Sequence, residues 1–372
     1  MAHLTRRHFS TRCASAMAPP LLLGGCSFGN AEVSYTEAVQ RTWQRDAPVA
    51  AGRVPLLEEL VRCATLAPSS HNTQCWKFAL QEQAIAVMPD LSRRCPAVDP
   101  DDHHLFVSLG CATENLVQAA LAHGLKAEPV VDTSAGGVVR VRLDPTRAAT
   151  SDLFGAIFER QCTRAEFDGR PVSSDERKLL ERAGTGTGVE VLILDDPAAM
   201  EKMLAYVVAA NTAQMDDSAF VEELKHWIRF GDAEAVCTGD GLFVGASGNP
   251  SLPRWLGERL FSSFFTAKSE NDKYAKQLRS SASIAVFVSA GNDRAHWVEV
   301  GRCYQRFALQ ATALGIRNAF LNQPVEVAGV RPQLAHALGL GARRPDLVVR
   351  FGRGRAMPRS LRRPVATVLT SE

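Results

Sequence analysis

One eighteen-residue pattern occurs twice in this chain of 372 residues and constrains its fold strongly. The copies align without a gap at a spacing of 191 positions, so that Gly110 in SLGCATENLVQAALAHGL corresponds to Gly301 in EVGRCYQRFALQATALGI. Both copies have small residues at the centre and a glycine before the last residue. These features are typical of a tightly packed core helix that ends in a left-handed cap. The shared register favours duplication of a half-unit over chance similarity.

A second informative stretch, LVRCATLAPSSHNTQCWKF, spans residues 60–78. Leu60, Val61 and Ala64 recur at helical spacing, and Pro68 ends the predicted helix because it disfavours the helical conformation of the residue before it. A polar loop, residues 69–74, then precedes an apolar run that predicts a strand. Helix, breaker, polar loop and strand together predict a ligand-binding loop. The alternative is a helix end followed by an ordinary polar turn.

The side chains of this loop suit a flavin. Serine hydroxyls can bind ribityl and phosphate oxygens, while Asn and Gln amides carry a donor beside an acceptor, as the edge of an isoalloxazine ring does. The run PSSxNxQ followed by an aromatic residue closely resembles the flavin-contacting loop of the nitroreductase family, most of all its fused, Acg-type branch. Cys75 stands where the family has proline. The resemblance implies FMN contacts from five residues: Pro68, Ser69, Ser70, Asn72 and Gln74.

The second half of the chain opens with another part of the implied site. The run RQCTRAEF, residues 160–167, resembles the family segment RRSxRxF, whose arginines hold the FMN phosphate. A fork-shaped, permanently charged donor suits a phosphate dianion, so Arg160 and Arg164 are the implied ligands. Gln161 and Cys162 replace the family's second Arg and Ser and belong to the same predicted site. The alternative is a solvated basic turn.

Two later segments complete the implied flavin site. The run FLNQP, residues 320–324, matches a family loop that lies against the flavin ring, which implies that Asn322 and Gln323 contact the ring edge. The basic C-terminal segment resembles the family's arginine-proline segment, which implies Arg362 or Arg363 as a second phosphate ligand. Both expectations come from the resemblance.

The two halves retain complementary parts of this site. The first half keeps the serine loop but lacks the arginine pattern near residues 43–45, whereas the second half keeps the arginines and has GTGTG, residues 184–188, in place of the serine loop. In the family, FMN lies at a dimer interface and takes the serine loop from one subunit and the arginines from the other. Complementary losses in a fused chain therefore imply one FMN per chain instead of two.

The resemblance also implies the fold class, an α+β, three-layer fold in which two fused half-units form an intramolecular pseudo-dimer. The predicted boundaries are residues 51–150 for the first half-unit and 151–372 for the second. Within the second, residues about 212–280 form an aromatic insertion that is either a lid or a packing flap. The family branch favours a lid that restricts access to the flavin.

The N-terminus predicts an export signal over residues 1–26. It contains the twin-arginine run TRRHF, a weakly apolar stretch and the lipobox-like end LGGC, in which Cys26 would carry lipid. Residues 27–50 form a predicted tether that leads into a helix near 35–45. The signal predicts recognition by the twin-arginine export machinery and a periplasmic location, with Cys26 as the candidate membrane anchor. The alternative is a disordered basic start.

Composition argues against several other classes of protein. A formal charge of +2 is too small for a nucleic-acid footprint, and no run of eighteen apolar residues predicts a membrane-spanning helix. The cysteines outside the signal form no CxxC pair or Cys/His cluster, which predicts buried thiols. The run DPDDHH, residues 99–104, could suggest a metal site, but acidic residues and a proline before an apolar run are more typical of a helix start. No metal site is predicted.

The sequence therefore predicts an FMN-dependent oxidoreductase of nitroreductase type. Its partners would be NAD(P)H or another electron donor and a small aromatic acceptor such as a nitroaromatic compound or a quinone. No side chain stands out as an acid or base, so no catalytic residue is predicted. The alternative is an FMN-sequestering or storage protein whose insertion closes over the flavin, because both functions need the same flavin contacts.

Overall fold

The computed structural model describes residues 33–45 and 49–370. The predicted signal, residues 1–26, and its Cys26 lie outside these ranges. The first part of the chain forms helices and strands with the following bounds: α1 Tyr35–Thr42, α2 Arg53–Thr65, β1 Trp76–Gln81, β2 Ala84–Pro89, α3 His103–Ala122, β3 Leu125–Asp132 and β4 Val138–Pro145.

The second part contains more elements because of a long excursion between two strands. Its helices and strands are α4 Asp152–Ile157, α5 Ser174–Gly184, β5 Val189–Leu194, α6 Pro197–Asp216, α7 Ser218–Trp227, β6 Ile228–Arg229, α8 Asp232–Thr238, β7 Leu242–Phe243, α9 Arg254–Phe264, α10 Ala267–Arg279, β8 Ser283–Ser289, α11 Arg294–Ala313, β9 Arg317–Phe320, α12 Gln323–Glu326, α13 Arg331–Ala337 and β10 Arg344–Gly352. Short 3₁₀ turns connect several of them.

Each half contributes a four-stranded antiparallel sheet of the same topology. The strand orders are β1-β2-β4-β3 and β5-β8-β10-β9, so strands that hold equivalent positions along the chain also hold equivalent positions in the two sheets. In each sheet the strand before the duplicated helix pairs with the second strand after it, as Val87 of β2 with Val139 of β4 and Val286 of β8 with Val348 of β10 illustrate. The two sheets therefore repeat one arrangement, which is consistent with duplicated half-units.

The duplicated helices α3 and α11 cross each other at the centre of the molecule. A Cβ atom on Gly110 would lie 2.0 Å from the carbonyl oxygen of Val298, and one on Gly301 would lie 1.9 Å from that of Val107. Val107 and Val298 are themselves 191 positions apart, so each helix presents the same residues to the other, as in a two-fold symmetric interface. The two glycines are needed because only they allow this close backbone approach.

The crossed helices lie between the two sheets. Helix α3 contacts β2, β3 and β4, while α11 contacts β5, β8 and β9. By length and composition α3 could span a membrane, but 78% of its apolar window is buried inside the protein, as in the core helix of a soluble domain. The predicted α+β class, with two half-units around a helical layer, is confirmed.

Helix α3 begins with the chemistry expected of residues 99–104. The two carboxylate oxygens of Asp99 accept the backbone N–H groups of His104 at 3.1 Å and Leu105 at 3.0 Å. The neighbouring His103 Nε2 lies 2.9 Å from Asp346 Oδ1. Burial raises the pKa of Asp99 to about 7. These residues therefore anchor the start of the central helix within the protein core.

The excursion between β5 and β8 occupies the place of the short β1–β2 turn in the other half. It runs over residues 195–282 and is longer than the predicted 212–280, because α6 also belongs to it. Met203, Leu204 and Val207 of α6 share one hydrophobic core with Val286 of β8, which fixes this helix on the outer face of the second sheet. The remainder of the excursion, from α7 to α10, borders the candidate site described next.

Candidate functional site

Two adjoining cavities lie between the polar loop after α2, helix α3 and the excursion. The central cavity, of about 200 Å³, is bordered by Ser70 of the loop and by residues of α3, α10 and the β9–α12 connection. The arginine cavity, of about 60 Å³, is bordered by Arg160 and by the C-terminal segment. Pro68, Ser69 and Arg164 border both cavities, so the predicted serine loop and the predicted phosphate arginine meet at one place.

The polar loop has an unusual backbone. Three of its non-glycine residues have positive φ angles: His71 at 48°, Asn72 at 53° and Gln74 at 53°. Such conformations cost roughly 1–3 kcal/mol each and persist only where surrounding contacts hold them. Asn72 Nδ2 donates to the carbonyl oxygen of Gly241 at 3.0 Å, and Gln74 Nε2 donates to that of Gly239 at 2.9 Å. The turn 239–241 of the excursion therefore holds the loop in its strained shape.

Asn72 and Gln74, which are expected at the ring edge, use their amides in contacts within the protein. Asn72 borders only the arginine cavity, and its Oδ1 accepts from Arg362 Nη1 at 3.0 Å. Gln74 is completely buried, borders neither cavity and accepts the backbone N–H of Arg363 at 2.8 Å. Because both amides already bind the protein's own groups, these residues shape the loop and leave the cavity contacts to others.

Two arginines at the arginine cavity have unused hydrogen-bond donors. Arg160 is only 2% exposed, and its Nη2 donates to the carbonyl oxygen of Leu66 at 3.2 Å, but its Nε and Nη1 atoms are buried without a partner among residues 33–45 and 49–370. The side chain of Arg164 has no hydrogen bond or ion pair within the part of the chain that the structure describes. Buried donors of this kind need an acceptor, and a cationic pair needs an anion. A phosphate group, which is an anion with several acceptor oxygens, would satisfy both needs.

Arg362 caps helix α2 instead of presenting a free fork to a phosphate. Its guanidinium donates to three carbonyl oxygens at the end of the helix, those of Thr65 at 2.7 Å, Leu66 at 3.1 Å and Ala67 at 3.0 Å. Its Nη1 is occupied by Asn72, as described above, and by the carbonyl oxygen of Leu361 at 2.9 Å. The exposed carbonyls of a helix C-terminus attract a cation, which explains this position. Burial and the charge of Arg160 lower the pKa of Arg362 to about 9.

The other candidate in this segment, Arg363, borders neither cavity. Its Nη2 donates to the carbonyl oxygen of Thr367 at 3.1 Å. The contacts of Arg362 and Arg363 do not support either as a second phosphate ligand, which stays a prediction. Arg362 adds positive charge to the wall of the arginine cavity without offering free donors.

Gln161 and Cys162 border the arginine cavity as expected. The amide of Gln161 is occupied by the backbone of Met357, since Oε1 accepts its N–H at 2.8 Å and Nε2 donates to its carbonyl oxygen. Cys162 is a half-buried free thiol. Trp43 closes the same cavity and donates from Nε1 to the carbonyl oxygen of Ser360 at 3.0 Å. Helix α1, which begins within the predicted tether, is thus part of the site.

Asn322 and Gln323 border the central cavity, where the resemblance placed them. Asn322 Oδ1 accepts the backbone N–H of Val348 at 3.0 Å, which orients the amide towards the cavity wall. Gln323 Oε1 is buried and has no partner. An unused acceptor at this position suits a ligand that carries a hydrogen-bond donor. Contact with a flavin ring remains a prediction for both residues.

Several residues of the central cavity were not foreseen. His71 borders it, and its Nε2 atom is buried without a partner; burial and the charges of Arg164 and His104 lower the pKa of His71 to about 4. His71 could have been recognised, because it lies inside the predicted ligand loop. The excursion also contributes cavity residues, and no local signal could have placed them here: Phe220, Leu224, Phe265, Lys273, Tyr274 and Gln277.

In the second half-unit, charged residues stand at the positions equivalent to those that border the central cavity in the first. Ser108 and Cys111 of α3 border the central cavity, and their counterparts 191 positions later are Glu299 and Arg302. Arg302 Nη1 lies 2.8 Å from Glu299 Oε2. A Cβ atom on Gly186, in the loop that replaces the serine loop, would lie 2.5 Å from Glu299 Oε1. The second half-unit has therefore filled the space that the first keeps open.

Comparisons with known proteins find relatives in sequence. No family model matches the chain. Rv3131 of Mycobacterium tuberculosis is 26% identical over 299 residues, covering 78% of this chain and 82% of the relative. The acg protein of the same organism is 22% identical over 338 residues, covering 84% and 95%. Both relatives are named as candidate NAD(P)H nitroreductases.

Among solved structures, a nitroreductase with bound FMN from Bacteroides fragilis is 14% identical and matches 55% of this chain and 90% of its own, with a TM-score of 0.35. That score is too low to support any argument about this chain. The sequence likeness to the two relatives extends over more than three quarters of the chain in each case.

Proposed function

We propose that this chain is an FMN-dependent oxidoreductase of nitroreductase type. The observation that carries the proposal is the arginine cavity, where Arg160 and Arg164 hold unused guanidinium donors beside a larger cavity with an unused amide acceptor. The M. tuberculosis relatives, named as candidate NAD(P)H nitroreductases, support the same reaction class.

The residues present fit FMN. Its phosphate dianion suits the donors of Arg160 and Arg164 in the arginine cavity. Its ring edge, which carries donors and acceptors, suits Asn322 and the unpaired Oε1 of Gln323 in the central cavity. Ser69 borders both cavities, Ser70 borders the central one, and both offer hydroxyl groups. The ribityl chain would therefore run along the serine loop.

When bound, FMN would supply hydride and electron transfer from NAD(P)H or another donor to a small aromatic acceptor such as a nitroaromatic compound or a quinone. The protein's own groups would bind and orient the reactants. Arg164 places a positive charge beside both cavities, where it would favour any negative charge that develops. Phe220 and Phe265 of the excursion border the central cavity and would limit the access of water to a bound reactant. His71 is neutral at pH 7, so its imidazole can donate a hydrogen bond to a bound reactant or accept one from it.

An absorbance spectrum of the purified protein, followed by anaerobic mixing with NADPH or NADH, tests this proposal. We expect bound flavin, bleaching by a nicotinamide and recovery of the oxidised spectrum when a nitroaromatic compound or a quinone is added. A protein that binds no FMN, even when FMN is supplied, would contradict the proposal. Dithionite is the control, because it reduces bound flavin without needing a binding site on the protein.

A second function, FMN sequestration or storage, has one observation in its favour. The central cavity, of about 200 Å³, is smaller than the ~300–1,000 Å³ usual for a ligand pocket, and residues of the excursion reduce it. Phe265→Ala would enlarge the cavity beside the proposed ring. If the protein is a closed store, this variant should gain reduction by nicotinamide that the natural chain lacks. If the protein is an open oxidoreductase, the nicotinamide should reduce the flavin of both the natural chain and the variant.

We also propose export by the twin-arginine route, with lipid attached to Cys26. The support is the run TRRHF followed by an apolar stretch and LGGC. Replacing both arginines by lysine, Arg6→Lys with Arg7→Lys, should retain the protein in the cytoplasm. An unchanged distribution between cytoplasmic and periplasmic fractions would contradict the proposal.

A further inference from the structure

A third cavity opens beside the two that form the proposed FMN site. This mouth cavity, of about 440 Å³, lies between the segment after α4, the start of the C-terminal segment and helix α10. It shares Arg164, Lys273 and Gln277 with the central cavity. A molecule bound in the mouth cavity could therefore extend into the central cavity.

The mouth cavity collects positive charge from separate parts of the chain. Arg164, Arg355 and two lysines of α10, Lys273 and Lys276, border it. Within the described ranges, the side chains of Arg164, Lys276 and Arg355 have neither an ion pair nor a hydrogen bond. Cations that converge on a concave surface without partners create an attractive potential for an anion.

The acidic residues at the same cavity do not cancel this charge. Asp272 Oδ2 is 2.8 Å from Nζ of Lys268, which lies outside the cavity, and the pKa of Asp272 is lowered by this hydrogen bond and more weakly by the charge of Lys276, which lies beyond ion-pair distance. Glu166 is exposed at the rim. Lys273 lies 3.5 Å from Glu270, which leaves Lys276, Arg355 and Arg164 as the unpaired cations. The mouth cavity is therefore suited to a ligand with more than one negative charge.

We propose that the mouth cavity binds the phosphate groups of the electron donor and that it selects NADPH over NADH. This inference depends on the proposed function. Of the proposed reactants, nitroaromatic and quinone acceptors are uncharged, and the FMN phosphate is accounted for by the arginine cavity. NADPH differs from NADH by one phosphate on the adenosine ribose, which adds roughly two negative charges at pH 7. Lys276 and Arg355 are the specificity-determining residues, because they are exposed and lie outside the FMN cavities.

The test uses the FMN-loaded full chain and measures anaerobic flavin reduction at several concentrations of NADPH and NADH. We expect the second-order rate constant with NADPH to exceed that with NADH by about tenfold or more. Lys276→Glu and Arg355→Glu should each lower the NADPH value by roughly 10–100-fold, a loss typical of one to two well-placed charge contacts, and should change the NADH value much less. Lys202→Glu is the matched control, since Lys202 is an exposed lysine of α6 outside these cavities.

A binding measurement gives a readout that does not depend on turnover. Adenosine 2′,5′-bisphosphate should bind the FMN-loaded chain more tightly than AMP, and the preference should weaken in Arg355→Glu and as salt is raised. Equal binding of the two nucleotides, or a preference that both substitutions leave intact, would overturn the inference while leaving the oxidoreductase proposal standing. Loss of FMN from the Lys276→Glu and Arg355→Glu variants would also overturn it, because the cavity would then belong to the cofactor.

Discussion

At the scale of single residues, Arg160 and Arg164 differ in how the protein supports them. Arg160 is fixed by one hydrogen bond to the carbonyl oxygen of Leu66 and is almost completely buried, so its two unpaired nitrogens keep a defined direction. Arg164 is only half-buried and borders all three cavities. A rigid donor and an adaptable one together suit a phosphate that must first enter and then be held.

Arg164→Ala should weaken FMN retention. A hydrogen bond to a charged group contributes about 1.5–3 kcal/mol, so we expect the Kd for FMN to rise by roughly 10–150-fold. The Kd can be measured by quenching of flavin fluorescence. Arg363→Ala is the control, because that side chain contacts Thr367 and borders neither FMN cavity. A full complement of flavin in purified Arg164→Ala would show that the phosphate is bound elsewhere.

His71 should make the protein less stable in acid. Burial, together with the charges of Arg164 and His104, lowers the pKa of His71 from its ordinary 6.5 to about 4. Between these values the unfolded chain takes up a proton that the folded chain refuses, so the free energy of unfolding falls as the pH drops from 6.5 towards 4. The slope is at most about 1.4 kcal/mol per pH unit.

The comparison is with His71→Asn, because asparagine tolerates the positive φ at this position and does not titrate. Urea unfolding at pH 7 and at pH 4.5 should show that the natural chain loses more stability than the variant. Parallel losses in both proteins would contradict the idea that the imidazole is held neutral. Other acid-sensitive groups are common to both chains and cancel in the difference.

At the scale of elements, the crossing of α3 and α11 depends on two positions without side chains. Gly110→Ala would place a methyl group 2.0 Å from the carbonyl oxygen of Val298 and 2.9 Å from the Cα of Gly301. Both neighbours are backbone atoms in buried helices, so the helices must separate, and we expect a loss of roughly 3 kcal/mol or more. Gly329→Ala is the matched control, since a methyl group there meets nothing within 4 Å. Chemical unfolding of the two variants checks the difference, and equal midpoints would contradict the close crossing.

The elements that could be predicted from the sequence are those whose own residues carry the signal. The register of α3 and α11 and the end of α2 before Pro68 follow from local patterns, whereas phosphate binding by Arg160 and Arg164 stays a prediction from the resemblance. Gln74 and Arg362 were assigned to the flavin because their side chains have the right chemistry. Their partners, the carbonyl of Gly239 and the end of α2, come from distant parts of the chain, so a local pattern could not show that these side chains were already occupied.

The excursion shows the same limit on a larger scale. Its aromatic content indicated a covering segment, but its start was placed too late, because α6 packs on the second sheet and has no sequence counterpart in the first half. Helix α10 carries the lysines of the mouth cavity, and their positions depend on how α10 packs against α6. Tertiary packing, which has no periodic signature in a single sequence, decides such placements.

At the scale of the whole molecule, pseudo-symmetry and its violation predict that a single flavin site remains. The crossed helices keep the symmetry in a pair of equivalent contacts. Gln305 Nε2 donates to Asn115 Oδ1 at 2.6 Å, and at the equivalent positions Arg306 Nη1 donates to Glu114 Oε2 at 3.0 Å. The symmetry is lost at the central cavity, because Ser108, which borders that cavity, has Glu299 as its counterpart in α11. A fused chain allows such divergence, because each half can change separately while a homodimer must change both sites together.

The whole chain should therefore bind one FMN and no more. Native mass spectrometry of the FMN-saturated protein should show a single added cofactor, because charged pairs fill the pseudo-symmetric position and the loop 184–188 packs on them. Arg164→Ala sharpens the test, since a chain with one site should lose its FMN, whereas a chain with two independent sites should keep one. Two cofactors per natural chain, of which the variant keeps one, would mean that the second half-unit retains a site of its own and that divergence of the halves had another cause.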